Sequence, residues 1–285
     1  MSRARAWIRL VRLPSVLTVP GDVLVGRALC DAGPVTGLIG SSALLYLGGM
    51  ALNDYADRAV DAVERPNRPI PSGEVRPGSA FALAAALTCG ALGLAALTGG
   101  RRAAGVTVPL ALTVWSYDLK SKRSQAGPPV MALARALNVM LGAAAAPRRA
   151  AEGAALIGTH TLAITAASRR EVDGGVRAVP IGVLATATGV ATVAARRRRC
   201  GTRRIDGTVA AGCLAGYLLA VYDGARPALR RPGPAELQRL VGRGVLALIP
   251  LQAGLLAAAG RPVTAVGVLS AWPVARLAAR RVVIT

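Results

Sequence analysis

The sequence predicts an all-α protein, a polytopic bundle of nine or ten transmembrane helices, from its composition and its apolar periodicity. Of the 285 residues, 53% are hydrophobic and 17% are charged, and the mean hydropathy is +0.46. Ten apolar runs follow one another, each near the roughly 20 residues that a helix needs to cross a bilayer. They cover residues 13–30, 36–52, 79–99, 103–117, 128–146, 152–167, 178–195, 206–222, 238–259 and 263–279. The runs are rich in Ala, Leu and Gly and lack the alternation of a barrel wall, which argues against β-strands.

The first run follows a basic segment, MSRARAWIRLVRLPS. This segment leads into a run as long as its successors and has no clear small-residue cleavage site, so we expect the first helix to stay in the mature protein. Nothing further along the chain marks a second domain or a long linker, and we expect residues 1–285 to form one integral-membrane domain.

The connections between the runs differ in length and polarity. Odd-numbered connections are short, such as CDAGP and TGGRR, whereas those after the second, fourth, sixth and eighth runs are longer and more polar. These four are NDYADRAVDAVERPNRPIPSGEVRPGSA, YDLKSKRSQAGPP, SRREVDGGVRA and YDGARPALRRPGPAELQR. If the helices alternate in direction, all four lie on one side of the membrane, which indicates an active site or a channel mouth there.

The formal net charge of +21 raises the possibility of a nucleic-acid partner. Only 3% of residues are aromatic, and the arginines cluster at helix ends, so we expect a lipid bilayer as partner and no nucleic acid. The distribution of basic residues predicts a multi-pass protein, in the cell membrane, with cytoplasmic active-site loops. The run ARRRRCGTRR at 195–204 departs from this rule, and we expect its arginines 196–199 to contact headgroups or solvent.

The four cysteines, Cys30, Cys89, Cys200 and Cys213, show neither CxxC nor metal-site spacing. Most of them lie within apolar runs. The sequence therefore predicts buried thiols rather than a disulfide framework or a zinc site.

Three aspartates and an asparagine follow the second apolar run. At about 100° per residue of helix, Asp54, Asp57 and Asp61 fall within roughly 60°, and Asn53 joins them within roughly 100°. Carboxylates stacked on one face repel one another unless a cation lies among them, and hard oxygen ligands of this kind suit Mg²⁺ bridging to phosphates.

The segment ERPNRPIPSG, which follows the aspartates, is rich in Pro and Gly. We expect a stiff loop that folds Arg65 and Arg68 back toward an anion. The simpler alternative is a solvated helix end with local Asp–Arg pairing, and the spacing of the acids and their place at the membrane boundary count against it.

The stretch NDYADRAVDAVERPNRPIPSG resembles the first aspartate-rich motif of the UbiA superfamily of intramembrane prenyltransferases, NDxxDxxxD followed by RPxRPIPSG. The resemblance implies a helical bundle around a central cavity. It also implies that Asp54, Asp57 and Asp61 hold Mg²⁺ on the diphosphate of an isoprenyl donor.

Two further segments extend the resemblance. In WSYDLKSK, Lys120 matches the basic residue after the fourth helix, and in ARALNVMLGA, Arg135 and Asn138 match inward-facing polar positions. The residues implied at the diphosphate are Asn53, Arg65, Arg68, Lys120, Arg135 and Asn138.

The second motif departs from the family pattern. Most members carry another aspartate-rich element after the sixth helix, whereas this chain has SRREVDGG, with Ser168, Glu171 and Asp173, and resembles the EboC-like branch there. The resemblance implies that Glu171 ligates a metal and acts in catalysis with Asp54, Asp57, Asp61 and Lys120. Asp173 assists as a ligand, and because Ser168 replaces an aspartate, we expect one firmly held Mg²⁺.

Several polar residues within the runs have two interpretations. We expect His160 to be a hydrogen-bonded packing residue rather than a general base. Asp22 and Arg12 either face the cavity or form a structural pair. Tyr117 and Asp118 either assist the Lys120 region or terminate the fourth helix.

The sequence thus predicts a Mg²⁺-dependent enzyme that moves an isoprenyl group from an allylic diphosphate to a small acceptor that the sequence does not identify. A transporter whose acids carry a cation is the rival from another class, but it leaves the Arg/Pro loop and Lys120 unexplained. A non-catalytic relative that binds isoprenoid lipid is the third interpretation. Release of diphosphate distinguishes the enzyme from both.

Overall fold

The computed structural model describes residues 10, 13–30, 35–172, 174–196 and 204–281, which form an all-α bundle without a β-strand in these ranges. A 3₁₀ helix, Leu13–Thr18, precedes nine α-helices, and a π-helical turn, Tyr117–Ser121, follows the third of them. The helices are α1 Pro20–Cys30, α2 Thr36–Glu64, α3 Pro77–Ser116, α4 Gly127–Gly142, α5 Pro147–Ser168, α6 Ala178–Arg196, α7 Arg204–Arg230, α8 Pro234–Ala258 and α9 Pro262–Arg281.

The helix count depends on how α3 is divided. The two apolar runs at 79–99 and 103–117 are joined in α3, but Gly100 interrupts the helical backbone with φ 64° and ψ −159°. A positive φ of this kind is accessible to glycine at little cost. The described chain therefore has nine helices, or ten if α3 is divided at Gly100, and the predicted fold class is confirmed.

Four described helices are long and apolar enough to cross a membrane by length and composition. They are α3 with the π turn, α6, α7 and α8. Helices α2 and α5 are also long, but they bury polar side chains inside the bundle, among them Ser42 and His160. Such side chains lower the hydropathy of a helix while keeping its polar groups away from lipid.

Helices α1 and α4 cross at two glycines. A Cβ atom on Gly26 would lie 1.8 Å from the carbonyl oxygen of Val139, and one on Gly142 would lie 1.9 Å from that of Val23. Only glycine permits this approach, as at other small-residue crossings of membrane helices. The crossing brings Asp22 of α1 beside Asn138 of α4.

The four long polar connections meet at one end of the bundle, as the alternation of helices predicts. Three contacts join them in sequence: Lys122 with Asp57, Arg169 with the carbonyl of Ser124, and the amide of Gly175 with the carbonyl of Pro232. We call this the polar end of the bundle.

Not all cysteines are buried. Cys30 and Cys213 are buried as predicted, but Cys89 is exposed, because it lies on the outer face of α3. Arg12, Asp173, Cys200 and the arginines at 197–199 lie outside the described residues.

Labelling of single cysteines tests the predicted orientation. In a cysteine-free background, Ser72→Cys and Val176→Cys at the polar end should react with a membrane-impermeant maleimide only from the cytoplasmic side. Val263→Cys, in the first turn of α9 at the other end, should react only from outside. Labelling of Ser72→Cys and Val176→Cys from opposite sides would contradict the fold, and labelling of both from outside would reverse the orientation.

Candidate active site

The aspartates of α2 are paired with cations. Asp54 and Asp61 are buried, and both accept from one nitrogen of Arg68: the Nη1 atom lies 3.3 Å from Asp54 Oδ1 and 2.6 Å from Asp61 Oδ2. Arg65 lies farther away, with Nη1 4.0 Å from Asp61 Oδ1. The loop thus folds back so that Arg65 and Arg68 pair with the aspartates, which is the local Asp–Arg pairing of the simpler alternative. Their role toward a bound anion stays a prediction.

The loop holds Arg68 in place through its own backbone. The amide of Ser72 donates to the carbonyl of Arg68 at 2.9 Å, and the amide of Val75 donates to that of Pro69 at 2.8 Å. Prolines fix the backbone between these bonds, and Gly73 supplies the positive φ of 75° that closes the turn. Arg68 is thus presented from a rigid turn.

Asp57 faces a different pair of cations. Lys122 Nζ lies 2.8 Å from Asp57 Oδ2, and Arg123 Nη2 lies 2.9 Å from Oδ1. Partial burial acts to raise the pKa of Asp57, but the hydrogen bonds and charges of Lys122 and Arg123 outweigh it, and the pKa falls below its ordinary value. Asp57 is therefore held ionised.

The π-helical turn after α3 determines which lysine reaches the acids. The amide of Lys122 donates to the carbonyl of Tyr117 at 2.9 Å, and Lys122 Nζ lies 3.4 Å from the carbonyl oxygen of Asn53. Buried Asp118, in the same turn, accepts from Asn53 Nδ2 at 3.0 Å. Lys120, predicted at the diphosphate, is exposed. Lys122 and Arg123 are candidate site residues that the sequence motifs did not indicate, although both belong to the polar segment DLKSKR.

A cavity of about 340 Å³ opens beside this cluster, within the usual range for small-molecule sites. Asn53 and Asp118 line its outer end. Most of its wall is apolar, with contributions from Leu45, Leu110, Val114, Met131, Ile164 and Leu248. The cavity can therefore hold a hydrocarbon chain whose polar end stays near the aspartates.

A polar network lies at the inner end of the cavity. Buried Asp22 accepts from Asn138 Nδ2 at 3.0 Å and from Gln252 Nε2 at 2.7 Å, and Arg135 Nε lies 3.1 Å from it. Ser42, 11 residues before Asn53 on α2, donates to Asn138 Oδ1 at 2.6 Å. At 1.5 Å per residue, this end is about 16 Å from Asn53.

Two of the residues predicted to bind the diphosphate, Arg135 and Asn138, lie in this inner network. Arg135 and Asn138 line the same cavity as Asn53, as inward-facing residues should. They lie with Asp22, however, and apart from the cluster of Asp54, Asp57 and Asp61. The structure brings Arg65 and Arg68 to the α2 aspartates and pairs Asn53 with Asp118. It places Arg135 and Asn138 in the inner network.

His160 uses both ring nitrogens in packing. Nδ1 lies 2.9 Å from the Tyr217 hydroxyl and Nε2 lies 3.0 Å from the carbonyl oxygen of Gly244. Because a carbonyl only accepts, Nε2 carries the proton and Nδ1 accepts from tyrosine. This is the hydrogen-bonded packing role expected of His160.

The second motif lies at the polar end. Ser168 Oγ donates to the carbonyl of Thr165 at 2.9 Å, so its hydroxyl is engaged within its own helix. Glu171 is half-buried; burial raises its pKa, and the nearby Arg65 charge offsets part of that rise. Arg65 is therefore near both Glu171 and Asp61.

The donor set at the first motif suits Mg²⁺ in its chemistry, since carboxylate oxygens are its preferred protein ligands. Asp54 and Asp61 share one nitrogen of Arg68, which shows that a positive group fits between them. Within the described ranges, no group of three or more His, Cys, Asp or Glu side chains is close enough to hold a metal ion. The two buried carboxylates are thus the part of the predicted ligand set that already converges.

Residues 17–229, most of the chain, match the UbiA prenyltransferase family. The chain belongs to this family. UbiA proteins reside in membranes, in agreement with the apolar helices. The predicted family is therefore confirmed, whereas the resemblance to the EboC-like branch stays a prediction.

Curated UbiA relatives carry the name digeranylgeranylglyceryl phosphate synthase. The Halobacterium salinarum protein is 32% identical over 197 residues, 66% of this chain and 71% of its own length. The Ignicoccus hospitalis protein is 34% identical over 163 residues, 55% of this chain and 52% of its own length. The Methanopyrus kandleri protein is 41% identical over 99 residues, 33% of this chain and 35% of its own length. The last two matches span about half or less of the relative.

Solved UbiA structures share the fold. A UbiA homolog from Archaeoglobus fulgidus bound to DMAPP and Mg²⁺ superposes with a TM-score of 0.62 at 16% identity, over 93% of this chain and 99% of that one. An apo UbiA homolog from Aeropyrum pernix gives a TM-score of 0.60 at 18% identity, over 86% of this chain and 98% of that one. At these identities, the similarity establishes the helical architecture alone.

Proposed function

We propose that this chain is a Mg²⁺-dependent intramembrane prenyltransferase, which moves an isoprenyl group from an allylic diphosphate to a small acceptor. The observation that carries the proposal is a cluster of acids and cations beside Asn53 and Asp118, which line one end of a largely apolar cavity. Asp54 and Asp61 converge on Arg68, and Asp57 converges on Lys122 and Arg123. Such a site matches a substrate with an anionic head and a hydrocarbon tail.

The cations have the chemistry to bind the diphosphate. Arginine offers several N–H donors in a planar fork and lysine offers a compact ammonium, and both bind phosphate oxygens. We assign Arg68 and Lys122 to this role because they pair with the aspartates next to Asn53, a residue that lines the cavity. Arg65 and Asn53 support them, and Lys120 is retained as an outer cation.

The acids supply the metal site of the proposal. Asp54, Asp57 and Asp61, with Glu171 and Asp173 from the second motif, would hold Mg²⁺. When bound, the ion would neutralise charge on the diphosphate leaving group. Asp54 and Asp61 are the first candidates, because their carboxylates already meet at one cation.

The apolar wall protects the reactive carbon. The allylic C–O bond breaks as diphosphate leaves, and a nucleophilic atom of the acceptor forms the new bond at that carbon. The acceptor's proton passes to the released diphosphate or to a nearby carboxylate. Exclusion of water matters because water would capture the allylic cation.

The names of the relatives provide the first acceptor to test. Digeranylgeranylglyceryl phosphate is a glycerol phosphate bearing two prenyl chains, so its synthase adds a prenyl group to a glycerol hydroxyl. We include a prenylated glycerol phosphate among the acceptors for this chain. The A. fulgidus homolog binds DMAPP and, in another structure, GPP, and these are the donors to try first.

A non-catalytic lipid-binding protein is the second candidate function. One observation favours it: the first-motif aspartates pair with Arg68, Lys122 and Arg123, and no three-acid cluster is present in the described part of the chain. A transporter, the other alternative, leaves this concentration of cations at the acids unexplained.

Mass spectrometry of lipid extracts tests the proposed function. Extracts from membranes that contain the protein, an allylic diphosphate and Mg²⁺ should contain a prenylated species. That species should be absent when the protein is omitted or the metal is chelated. Extracts that stay identical for donors of five to twenty carbons would favour the lipid-binding alternative.

Glu171 should contribute less than the first motif. Because Ser168 replaces an aspartate, we expect Glu171→Gln to keep weak activity that high Mg²⁺ partly restores, with Ser168→Asp tolerated. Losing one preorganised electrostatic contact costs on the order of a hundredfold in rate. Kinetics across a Mg²⁺ series check this expectation. If Glu171→Gln is inactive at every Mg²⁺ concentration, the second motif is a full metal site.

A further inference from the structure

Asp22 is a buried acid that the proposed chemistry does not use. It is fully buried in α1 and receives groups from two other helices: Asn138 and Arg135 from α4, and Gln252 from α8. Asn138 and Gln252 donate one hydrogen bond to each carboxylate oxygen, and Arg135 Nε lies at ion-pair distance without making a hydrogen bond. A carboxylate that meets donors on both oxygens beside a cation is best satisfied in its ionised form. Asp22 therefore places a negative charge beside Arg135.

Arg135 is held so that one edge remains for a ligand. Its Nε lies 3.1 Å from Asp22 Oδ2, and its Nη2 donates to the carbonyl of Thr18 at 3.2 Å. The side chain lines the cavity, and its contacts with Asp22 and Thr18 are made through Nε and Nη2, which leaves Nη1 as the third nitrogen of the guanidinium. Nε itself has no hydrogen-bond partner among the described residues. This Nη1 group can donate to a molecule in the cavity.

The inner end carries no net charge. Asp22 contributes one negative charge and Arg135 one positive charge, and Asn138, Gln252 and Ser42 are neutral. An anionic group placed here would add a charge that has no counter-ion in a poorly hydrated site, at a large desolvation cost. A neutral oxygen could accept from Arg135 without that penalty.

We propose that the inner end of the cavity selects ligands that carry a neutral, hydrogen-bond-accepting group. Arg135 recognises this group. The negative charge of Asp22 offsets the positive charge of Arg135, so the site favours an uncharged ligand. The inference rests on the proposed function in that it makes this end a recognition site for the acceptor. It separates the two ends of the cavity by charge: the outer end takes the anionic head, and the inner end takes an uncharged oxygen. An acceptor that carries a phosphate would keep that phosphate at the outer end.

Two small probes that differ in charge test the proposal: 4-phenyl-1-butanol and 4-phenylbutyrate. Their binding to the purified full-length chain is measured by equilibrium dialysis at neutral pH, in EDTA and without any diphosphate. The wild-type protein should bind the alcohol at least about tenfold more tightly than the carboxylate. Because neither metal nor turnover enters, failure of prenyl transfer leaves this result unaffected.

Variants assign the preference to the two residues. Asp22→Asn leaves Arg135 uncompensated and should shift the preference by about tenfold or more toward the carboxylate. The double variant Asp22→Asn/Arg135→Met is neutral but lacks the donor, and it should bind the alcohol more weakly without gaining affinity for the carboxylate. Circular dichroism and gel filtration check that each variant is folded.

Three results would overturn the proposal. The first is that the wild-type protein binds the two probes equally, prefers the carboxylate or binds neither probe. This result can be obtained without any variant. The second is a folded Asp22→Asn protein with an unchanged preference. The third is a folded double variant that retains wild-type affinity for the alcohol.

Discussion

Asp54→Asn and Asp57→Asn should each abolish detectable prenyl transfer at any Mg²⁺ concentration. Asparagine keeps the shape of the side chain but removes the charge that a metal ligand needs. Removing one preorganised electrostatic contact lowers the catalytic rate by about a hundredfold or more. We expect a larger loss here, because these carboxylates are proposed to position both the metal and the cations. Diphosphate release by protein in liposomes, measured across a Mg²⁺ series, gives the result.

Asp223→Asn is the matched control for these two variants. Asp223 also pairs with arginines, at 3.3 Å to Arg239 and 3.2 Å to Arg243, but it lies on α7, away from the α2 aspartates. The Asp223→Asn protein should release diphosphate at a near-normal rate, since an exposed ion pair contributes little to stability. Near-normal release by both α2 variants would remove the metal-site assignment.

Lys122→Met should lower the turnover rate by about a hundredfold, while Lys120→Met should lower it by less than about fivefold. The Lys122 side chain is 13% exposed and lies 2.8 Å from Asp57, whereas Lys120 is exposed. The loss at Lys122 would come from one fewer cation for the diphosphate. Steady-state kinetics with an allylic donor measure both effects.

The two lysines control for each other, because they stand two residues apart in the same turn. The unfolding temperature of each variant shows whether the lost pairing with Asp57 has disturbed the fold. A stable Lys122→Met protein with full activity would contradict the assignment. A larger loss at Lys120 would return the diphosphate role to the residue that the family resemblance suggests.

The sequence predicts most of the helices well because their apolar runs are long and bounded by polar connections. The first run, 13–30, is the exception, because it divides into the 3₁₀ helix Leu13–Thr18 and the shorter helix α1, Pro20–Cys30. It also predicts that Asp54, Asp57 and Asp61 share one face of α2, since that follows from helix geometry alone. The return of Arg68 follows from the Pro and Gly of its loop. These features depend on neighbouring residues, which a sequence displays directly.

The remaining features depend on contacts that spacing does not reveal. A π-helical turn brings Lys122 rather than Lys120 to Asp57, and nothing in DLKSKR marks that turn. The assignment of Lys120 to the diphosphate stays a prediction. The inner network joins Asp22 to Gln252, which lie 230 residues apart. Their meeting depends on the packing of α1 against α8, which only the folded chain defines.

The most direct test of the central claim is release of diphosphate from an allylic diphosphate by the purified chain in liposomes. Mg²⁺ is varied, and a prenylated glycerol phosphate, the first acceptor to test, is supplied or omitted. We predict release of diphosphate that depends on Mg²⁺ and on acceptor, stops on chelation and is absent in Asp57→Asn. Tight binding of the donor without any release, unchanged by Mg²⁺ and shared by Asp57→Asn, would contradict it and favour a protein that binds isoprenoid lipid without catalysis.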